Sequence, residues 1–269
     1  MRDMSDPPKR PLATIGAVAR VCGTVLVLAG VSDAACAQGG TAGPSTQVWA
    51  NFTPGRAMNE RWYLELDVEP KLQVTSGEQW RNLDLTPLVE AYPFSWLDLE
   101  SEATVGRTHQ RDGLDTFEVT PRVGARFNLF AKFARAVSAR EDRLPLTRLA
   151  ISTLVRLEWR NFFYSDATPD RHEWRFRARL ESKLALNHAR LTDDRTVYLI
   201  GDIEYYAPLG DDVEERYVNK VRVRLGAGYR SSKSTRLEVL YIRDWNRKAP
   251  DAAAAEDTQA IDVRLKRFF

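Results

Sequence analysis

The feature that most constrains this chain is a two-residue alternation of apolar and polar side chains, which continues through segments longer than ordinary strands. The stretch WYLELDVEPKLQV, residues 62–74, places tryptophan, leucine, valine and proline on one parity, and mostly charged residues on the other. Residues of one parity share one face of a β-strand, so the pattern predicts a strand with an apolar and a charged face. The apolar face would meet either a soluble core or lipid.

The same alternation recurs along the chain and predicts an all-β fold. We predict one short segment, VWANFT at 48–53, and ten long strands, at 60–74, 81–92, 96–107, 115–130, 147–164, 172–188, 196–207, 217–230, 235–246 and 258–269. Strands of soluble sheets average about 5 to 6 residues, whereas a tilted membrane-spanning strand needs about 9 to 11. Length therefore favours an antiparallel up-and-down transmembrane β-barrel of about ten strands.

Aromatic side chains gather near the predicted strand ends, where barrels carry interfacial girdles. They are Trp62, Tyr63, Tyr92, Phe94, Trp96, Trp159, Phe162, Phe163, Tyr164, Tyr205, Tyr206, Trp245, Phe268 and Phe269. A soluble β-sandwich with aromatic residues at its edges is the alternative. The girdle interpretation is favoured by the last strand, IDVRLKRFF, which ends on an aromatic residue of its apolar parity.

The links between strands fall into two groups, which predicts two different ends of the barrel. Short links at 93–95, 189–195 and 231–234 are expected on the periplasmic side, and more variable links at 75–80, 108–114, 165–171, 208–216 and 247–257 on the other. Residues 131–146 break the rule, and predict either a small basic helix at the inner membrane interface or two extra strands, which would make twelve. Three prolines inside strands, Pro70, Pro87 and Pro121, predict β-bulges.

The N-terminus has the organisation of an export signal. Residues 1–37 combine a basic lead, an apolar core at 21–31 and a small-residue cleavage site ending at Ala37. We expect 38–46 to be a flexible leader and 47–269 the barrel, in the outer membrane of a Gram-negative bacterium. Both cysteines lie in the removed segment, although Cys36 would be retained if it were a lipoprotein cysteine.

Several stretches resemble an uncharacterised family of Gram-negative outer-membrane barrels, classified as a domain of unknown function. They are RWYLELDVEPKL, RLEWRNFF, EWRFRARLE, KVRVRLGAGYR and RLEVLYIRDW, after an early VWANFT. The resemblance covers nearly the whole mature chain and implies an outer-membrane β-barrel, without any functional residue. The last strand also resembles the signal read by the barrel-assembly machinery, with Arg267 departing from the usual apolar residue. Outer-membrane lipid and that machinery are therefore the expected partners.

Enzymatic chemistry has weak support in the sequence. His109 and His172 lie near aspartates and serine in predicted outer loops, and His188 lies near the opposite end of a strand. Polar loops produce such neighbours routinely, so no catalytic residue is assigned. No ligand spacing for calcium or zinc is present, and we expect no cofactor and no metal. A formal net charge of +2 argues against nucleic acid as a partner.

The charged residues of each strand share one parity, and we expect them to face the barrel lumen. Its acidic candidates are Glu65, Asp67, Glu69, Asp84, Glu90, Asp98, Glu100 and Glu102. Its basic candidates are Arg156, Arg160, Arg175, Arg177, Arg179, Lys183, Arg222 and Arg224. Because the acids belong to the first three long strands and the bases to the fifth, sixth and eighth, we expect an acidic wall that faces a basic wall.

Two outcomes follow for opposed charges in a low-dielectric shell. Pairing across the lumen would seal the barrel, whereas a water column would leave a pore with a transverse field. Ten strands lie between the barrels of about 8 strands that side chains fill and the open channels of about 16 to 18, which favours a closed or nearly closed lumen. We predict a structural barrel or a narrow channel for small polar or charged solutes. The alternatives are a barrel enzyme acting on lipid or peptide and a soluble periplasmic β-protein.

Overall fold

A computed structural model describes residues 45–74, 80–109, 115–129, 148–209, 220–246 and 258–269. Eleven strands in these ranges form one closed barrel: β1 (Ser45–Ala57), β2 (Trp62–Gln73), β3 (Arg81–Phe94), β4 (Leu97–His109), β5 (Asp115–Asn128), β6 (Leu149–Tyr164), β7 (Arg171–Ala185), β8 (Thr196–Leu209), β9 (Lys220–Ser232), β10 (Thr235–Asn246) and β11 (Thr258–Phe268). Within these same ranges, no helix is long and apolar enough to cross a membrane.

Each strand pairs antiparallel with its neighbours in sequence, and the barrel closes through a parallel pair, β1 with β11. An up-and-down chain reverses at every link, so an odd number of strands brings the first and last into the same direction. Val48 lies opposite Ile261 and Phe52 opposite Leu265 in this seam. The prediction of a short segment at 48–53 is therefore wrong in length, because β1 is a full strand of 13 residues. The all-β barrel itself is confirmed, with eleven strands.

The two ends of the barrel differ in their links. We call the end that carries the links 58–61, 95–96, 186–195 and 233–234 the turn end, and Phe269 also lies there. The other end, the loop end, carries Ser45 and the link 165–170. The segment 131–146, for which a helix or two strands were predicted, lies outside the described residues.

The three prolines for which the sequence predicts β-bulges cause none, which corrects that prediction. Each of them, Pro70, Pro87 and Pro121, pairs with one neighbouring strand and lacks a paired residue on the other. The register of the strands is the same before and after each proline. A proline removes one backbone donor, so the ladder is interrupted on one side only. Register shifts occur elsewhere, between Ala91 and Phe94 and between Thr235 and Arg236.

The barrel places its apolar side chains outside and its charges inside. Leu180 is 46% exposed on the outer surface, whereas Glu158 and Glu204 are fully buried. Soluble proteins bury apolar residues and rarely bury unpaired charges, and they rarely expose large continuous apolar patches. The inverted distribution is what a lipid solvent around a polar interior requires.

Aromatic side chains form a band on the outer surface near each end. At the turn end Trp96 stacks on Phe94, with ring centroids 5.5 Å apart, and at the loop end Trp159 stacks on Trp174 at 5.8 Å. Several residues that the sequence assigned to the girdles instead face the interior: Tyr63, Tyr92, Phe162, Tyr164, Tyr206 and Phe268. Phe162 and Tyr206 are the most buried of them, at 5% and 2% exposed, and they share the parity of the charged residues in β6 and β8.

Candidate functional site: a charged lumen

The interior of the barrel holds a cavity of about 1420 Å³. Its wall includes Ser45 and Trp80 at the loop end, and Tyr63 and Phe268 at the turn end. The cavity therefore extends along the barrel between its two ends.

The structure places most of the sequence-predicted charged residues on the wall of this cavity. All eight basic candidates line it. Six of the acidic candidates also line it, namely Glu65, Asp67, Glu69, Asp84, Glu90 and Glu102. Glu100 and Asp98 have the same inward parity on β4 but are not among the residues that line the cavity, and they contact Arg156 and Asn128 respectively.

Most ion pairs in the lumen join neighbouring strands, and the longer ones, such as Arg156 on β6 with Glu102 on β4, pass over a single strand. Among the described residues the pairing therefore runs along the wall, and the predicted pairing across the lumen is wrong. Glu158 on β6 is the clearest case. Its carboxylate forms ion pairs with Arg175 at 2.5 Å, with Arg177 at 3.2 Å and with Arg122 at 3.3 Å. These cations belong to β5 and β7, on either side of β6. Adjacent strands are only about 5 Å apart, so a long side chain reaches a neighbouring strand before it reaches the opposite wall.

The same lateral pairing continues through β8, β9 and β10. Arg224 lies 2.8 Å from Asp202 and 3.0 Å from Glu204. Arg222 donates both Nε and Nη2 to Asp244, each at 2.7 Å, in a two-pronged contact. Such bidentate pairs fix the geometry of both side chains. The basic wall is thus a rigid network in which carboxylates lie between guanidinium groups.

The acids of β4 belong to a second network. The Glu102 carboxylate forms ion pairs with Arg122 at 2.9 Å and with Arg156 at 2.8 Å. Glu100 pairs with Arg156 as well, and with Arg126 at 3.1 Å. The β4 part of the predicted acidic wall is therefore neutralised by arginines from β5 and β6, and the acidic surface is confined to β2 and β3.

Sequence reasoning missed the carboxylates that hold the basic wall and several cations of the lumen. They are Glu118, Glu158, Glu173, Glu181, Asp202, Glu204, Glu238, Asp244, Asp262, Arg122, Arg126, Arg171, Lys220, Arg230, Arg236, Arg264 and Lys266. Their strand parity carried the signal. The prevailing charge of a strand does not reveal a single acidic residue among several basic ones.

Two aromatic rings narrow the lumen. Arg222 lies 4.9 Å from the ring centre of Trp49 on β1 and 5.8 Å from that of Tyr206 on β8. Lys71 approaches Trp49 to 5.0 Å, and Arg175 approaches Tyr206 to the same distance. Cations over ring faces are attracted by the ring quadrupole, so these contacts hold side chains from separate strands together.

An apolar cluster occupies the turn-end part of the lumen beside β8, β9 and β10. Tyr198 and Leu240 are almost completely buried there, and Leu191 from the link 186–195 packs against them. The cluster requires glycine on β9, because a Cβ at Gly228 would lie 2.3 Å from the Tyr198 ring and one at Gly226 only 2.7 Å from Leu240. Tyr198 and Leu240 are accordingly not among the residues that line the cavity.

The histidines that were considered for catalysis have other contacts. His109 Nδ1 lies 2.7 Å from Asp115, which also binds Arg107, on the outer face at the loop end. His172 Nδ1 lies 2.8 Å from the Asn161 side chain.

Asp166, an acidic residue close to His172 in the sequence, likewise forms hydrogen bonds with a neighbouring residue. The hydroxyl of Thr168 donates to the Asp166 carboxylate, and its backbone N–H does so too, which lowers the pKa of that carboxyl. Within the described ranges, no three histidine, cysteine, aspartate or glutamate residues are grouped so that they could hold a metal ion.

Comparisons with known proteins give one family and a structural similarity. Residues 46–254 match the family model described as "Protein of unknown function (DUF2490)". The search of curated proteins gives no match. A solved structure described as "NanC porin structure in rhombohedral crystal form" is similar with a TM-score of 0.47 and 8% sequence identity, over 82% of this chain and 98% of that chain.

Proposed function

The chain belongs to the DUF2490 family of proteins of unknown function, and from its geometry we propose that it is an outer-membrane β-barrel that forms a narrow channel for small polar or charged solutes. The observation that carries this proposal is the cavity of about 1420 Å³, whose wall includes residues at both ends of the barrel and is rich in charge. Charged walls of this kind are solvated by water and admit polar solutes.

The outer surface supports the membrane part of the proposal. Strands of 11 to 16 residues present apolar side chains outward between two aromatic bands. A soluble periplasmic protein would expose this whole surface to water, at a cost of about 25 cal/mol for each Å² of apolar area. Outer-membrane lipid is therefore the proposed partner of the outer surface.

The barrel-assembly machinery is the second proposed partner, and it would recognise β11. The outward side chains of this strand, Ile261, Val263 and Leu265, continue the apolar surface, and Arg267 then lies 5.7 Å from the ring of Phe269. An arginine at this position can extend its charge to the membrane interface while its stem covers apolar surface. Phe269→Ala should reduce the amount of barrel found in the outer membrane.

A structural barrel without transport is the second candidate function. The observation that favours it is the dense lateral network of ion pairs, which stiffens the wall and fills part of the lumen. This candidate predicts that the protein inserts into membranes and passes no current.

Single-channel recording in a planar bilayer tests the proposal. The purified mature protein should give discrete conductance steps, smaller than those of barrels with 16 to 18 strands, which leave an aqueous channel. Heat-modifiable migration in a detergent gel shows independently that the same sample is folded. A folded sample that inserts and gives no steps would overturn the channel and support the structural barrel. Recovery of the protein as a soluble periplasmic species would overturn both.

A further inference from the structure

The walls of the lumen have opposite charge where they meet the cavity. Strands β2 and β3 line the cavity with five carboxylates and one cation, Lys71; the carboxylates are Glu65, Asp67, Glu69, Asp84 and Glu90. Strands β7 and β9 line it with seven cations, and no carboxylate of these two strands is among the described lining residues. The carboxylates that neutralise the basic wall lie behind the cations or on other strands. A solute in the cavity therefore meets a negative and a positive surface.

The order of strands around the barrel places these walls opposite each other. In a ring of eleven strands, β7 and β8 are both five positions from β2, and β8 and β9 are both five positions from β3. These are the largest separations that the ring allows. The field between the two walls therefore runs across the barrel axis.

Two acids of β2 are not used by the ion-pair networks. The Tyr63 hydroxyl donates to Glu65 at 2.7 Å, and Thr53 Oγ1 lies 2.5 Å from Asp67 Oδ1. Neither carboxylate forms an ion pair with any cation in the described part of the chain. By contrast, Glu69 and Asp84 both contact Lys71, at 2.8 and 2.6 Å. Glu65 and Asp67 therefore keep acceptor capacity that faces the lumen.

The opposite wall contains a matching unused cation. Arg179 on β7 lines the cavity and makes no hydrogen bond or ion pair with any described residue. Its inward-facing neighbours on β7 are Arg177 and Glu181, and both already have partners, because Arg177 pairs with Glu204 and Glu181 pairs with Lys183 at 3.1 Å. A guanidinium group presents five donors, which suit a carboxylate or another planar anion.

The unused groups lie at similar heights in the barrel. Asp67 is the sixth residue of β2 counted from the turn end, and Arg179 is the seventh residue of β7 counted from the same end. A solute between them can meet acceptors on one side and donors on the other.

We propose that the lumen binds zwitterionic solutes, with the cationic group of the solute at Glu65 and Asp67 and its carboxylate at Arg179. This inference deepens the proposed channel function and rests on it, because it names the class of solute that the channel prefers. An anion alone would satisfy Arg179 but would face the acidic wall, and a cation alone would face the basic wall. A solute with both charges can satisfy both sites in a single orientation.

The test compares four probes of similar size that differ in charge: β-alanine, propionate, propylammonium and propionamide. Their binding to the folded, detergent-solubilised barrel is measured by titration calorimetry. We expect β-alanine to bind at least about tenfold more tightly than each of the others, since one charge-assisted hydrogen bond already contributes about that factor. Equal binding of the four probes would overturn the inference.

Two variants test which side chains bind the two charged groups of the solute. Arg179→Gln should weaken β-alanine binding about tenfold, and the double variant Glu65→Gln with Asp67→Asn should weaken it by at least as much. All three replacements remove charge from groups that lack an ion-pair partner, so they leave no opposite charge unpaired. Arg107→Gln, on the outer surface, is the matched control and should leave binding unchanged. Unaltered β-alanine binding in both lumen variants would overturn the assignment.

Ion selectivity gives a readout that a merely structural role would not move. Arg179→Gln should shift the reversal potential towards cation selectivity, and the acidic double variant should shift it towards anion selectivity. A barrel without conductance overturns the channel and leaves the calorimetric result standing, whereas a conducting barrel without preference for β-alanine overturns only the zwitterion site.

Discussion

The outer surface and the lumen of this barrel are built from alternate residues of the same strands, and they reach stability in different ways. The outer surface carries leucine, valine and aromatic side chains with few polar contacts, so its stability depends on the solvent that surrounds it. The lumen carries charged side chains that are held by specific ion pairs, so its stability depends on each partner being present. A conservative change is therefore tolerated outside, and it is costly inside where it removes the charge of an ion-pair partner. A change from apolar to charged is costly outside.

The largest effect is expected from removing a shared carboxylate in the lumen. Glu158→Gln keeps the size of the side chain but leaves Arg122, Arg175 and Arg177 without the charge that they share. We expect a loss of about 3 to 5 kcal/mol in the free energy of unfolding, because breaking a buried ion pair leaves uncompensated charge. Urea unfolding in lipid vesicles measures the change. Arg179→Gln is the control, since Arg179 has no ion pair, and an equal loss in both variants would contradict the network.

A charge on the outer surface should have the next largest effect. Leu180 projects outward from β7, and Leu180→Lys should cost about 2 to 4 kcal/mol if the position lies near the membrane midplane. The same unfolding assay measures the cost, and Leu180→Met, which conserves volume, should cost less than about 1.5 kcal/mol. If lysine were tolerated as well as methionine, the outer surface would not be in lipid.

A smaller effect is expected where the apolar cluster in the lumen meets β9. Gly228→Ala would place a methyl group 2.3 Å from the Tyr198 ring, and we expect about 1 to 3 kcal/mol of destabilisation from this overpacking. Gly201→Ala on β8 is the matched control, because the nearest atom would be 3.4 Å away, close to ordinary contact. Thermal midpoints of the two variants should differ. Identical midpoints would show that Tyr198 is free to move.

The smallest effect concerns the aromatic band at the loop end. Trp159 and Trp174 stack with an interplanar angle of 14°, and such pairs contribute about 0.5 to 1.5 kcal/mol beyond the area that they bury. A double-mutant cycle with Trp159→Ala and Trp174→Ala should give a coupling energy in this range. A coupling energy of zero would mean that the two rings act separately.

The alternation in the sequence was sufficient to predict the strands, their two faces and the closed barrel. It could not predict that β1 continues to Ala57, because Pro54 and Gly55 weaken the strand pattern there, and parallel pairing with β11 supplies the missing stability. The bulges predicted at Pro70 and Pro87 were wrong for a related reason. A proline whose nitrogen lies on one side of the strand interrupts only one of its two ladders, and the sequence does not reveal which neighbour is affected.

The candidate site was less predictable than the fold. Parity was enough to assign Arg177 and Arg224 to the inner face. Their partners depend on the register between strands, and the sequence does not reveal the geometry of the links that set this register. Glu204 contacts both arginines because β8 lies between β7 and β9. The unpaired state of Arg179 has no sequence signal, since it follows from neighbouring carboxylates that are already occupied.

The central claim is that neighbouring residues of one strand face lipid and water in turn, and cysteine accessibility tests it most directly. Both native cysteines lie within residues 1–37, so a mature chain that begins at Gln38 carries only the introduced thiol. Asn51→Cys on β1 faces the cavity, and Phe52→Cys faces outward. In intact outer-membrane vesicles, a small charged thiol reagent should label Cys at 51 and leave Cys at 52 unreacted, while a lipid-soluble quencher should reach a fluorophore only at 52. The reverse pattern, or equal labelling of both positions by the charged reagent, would contradict the account.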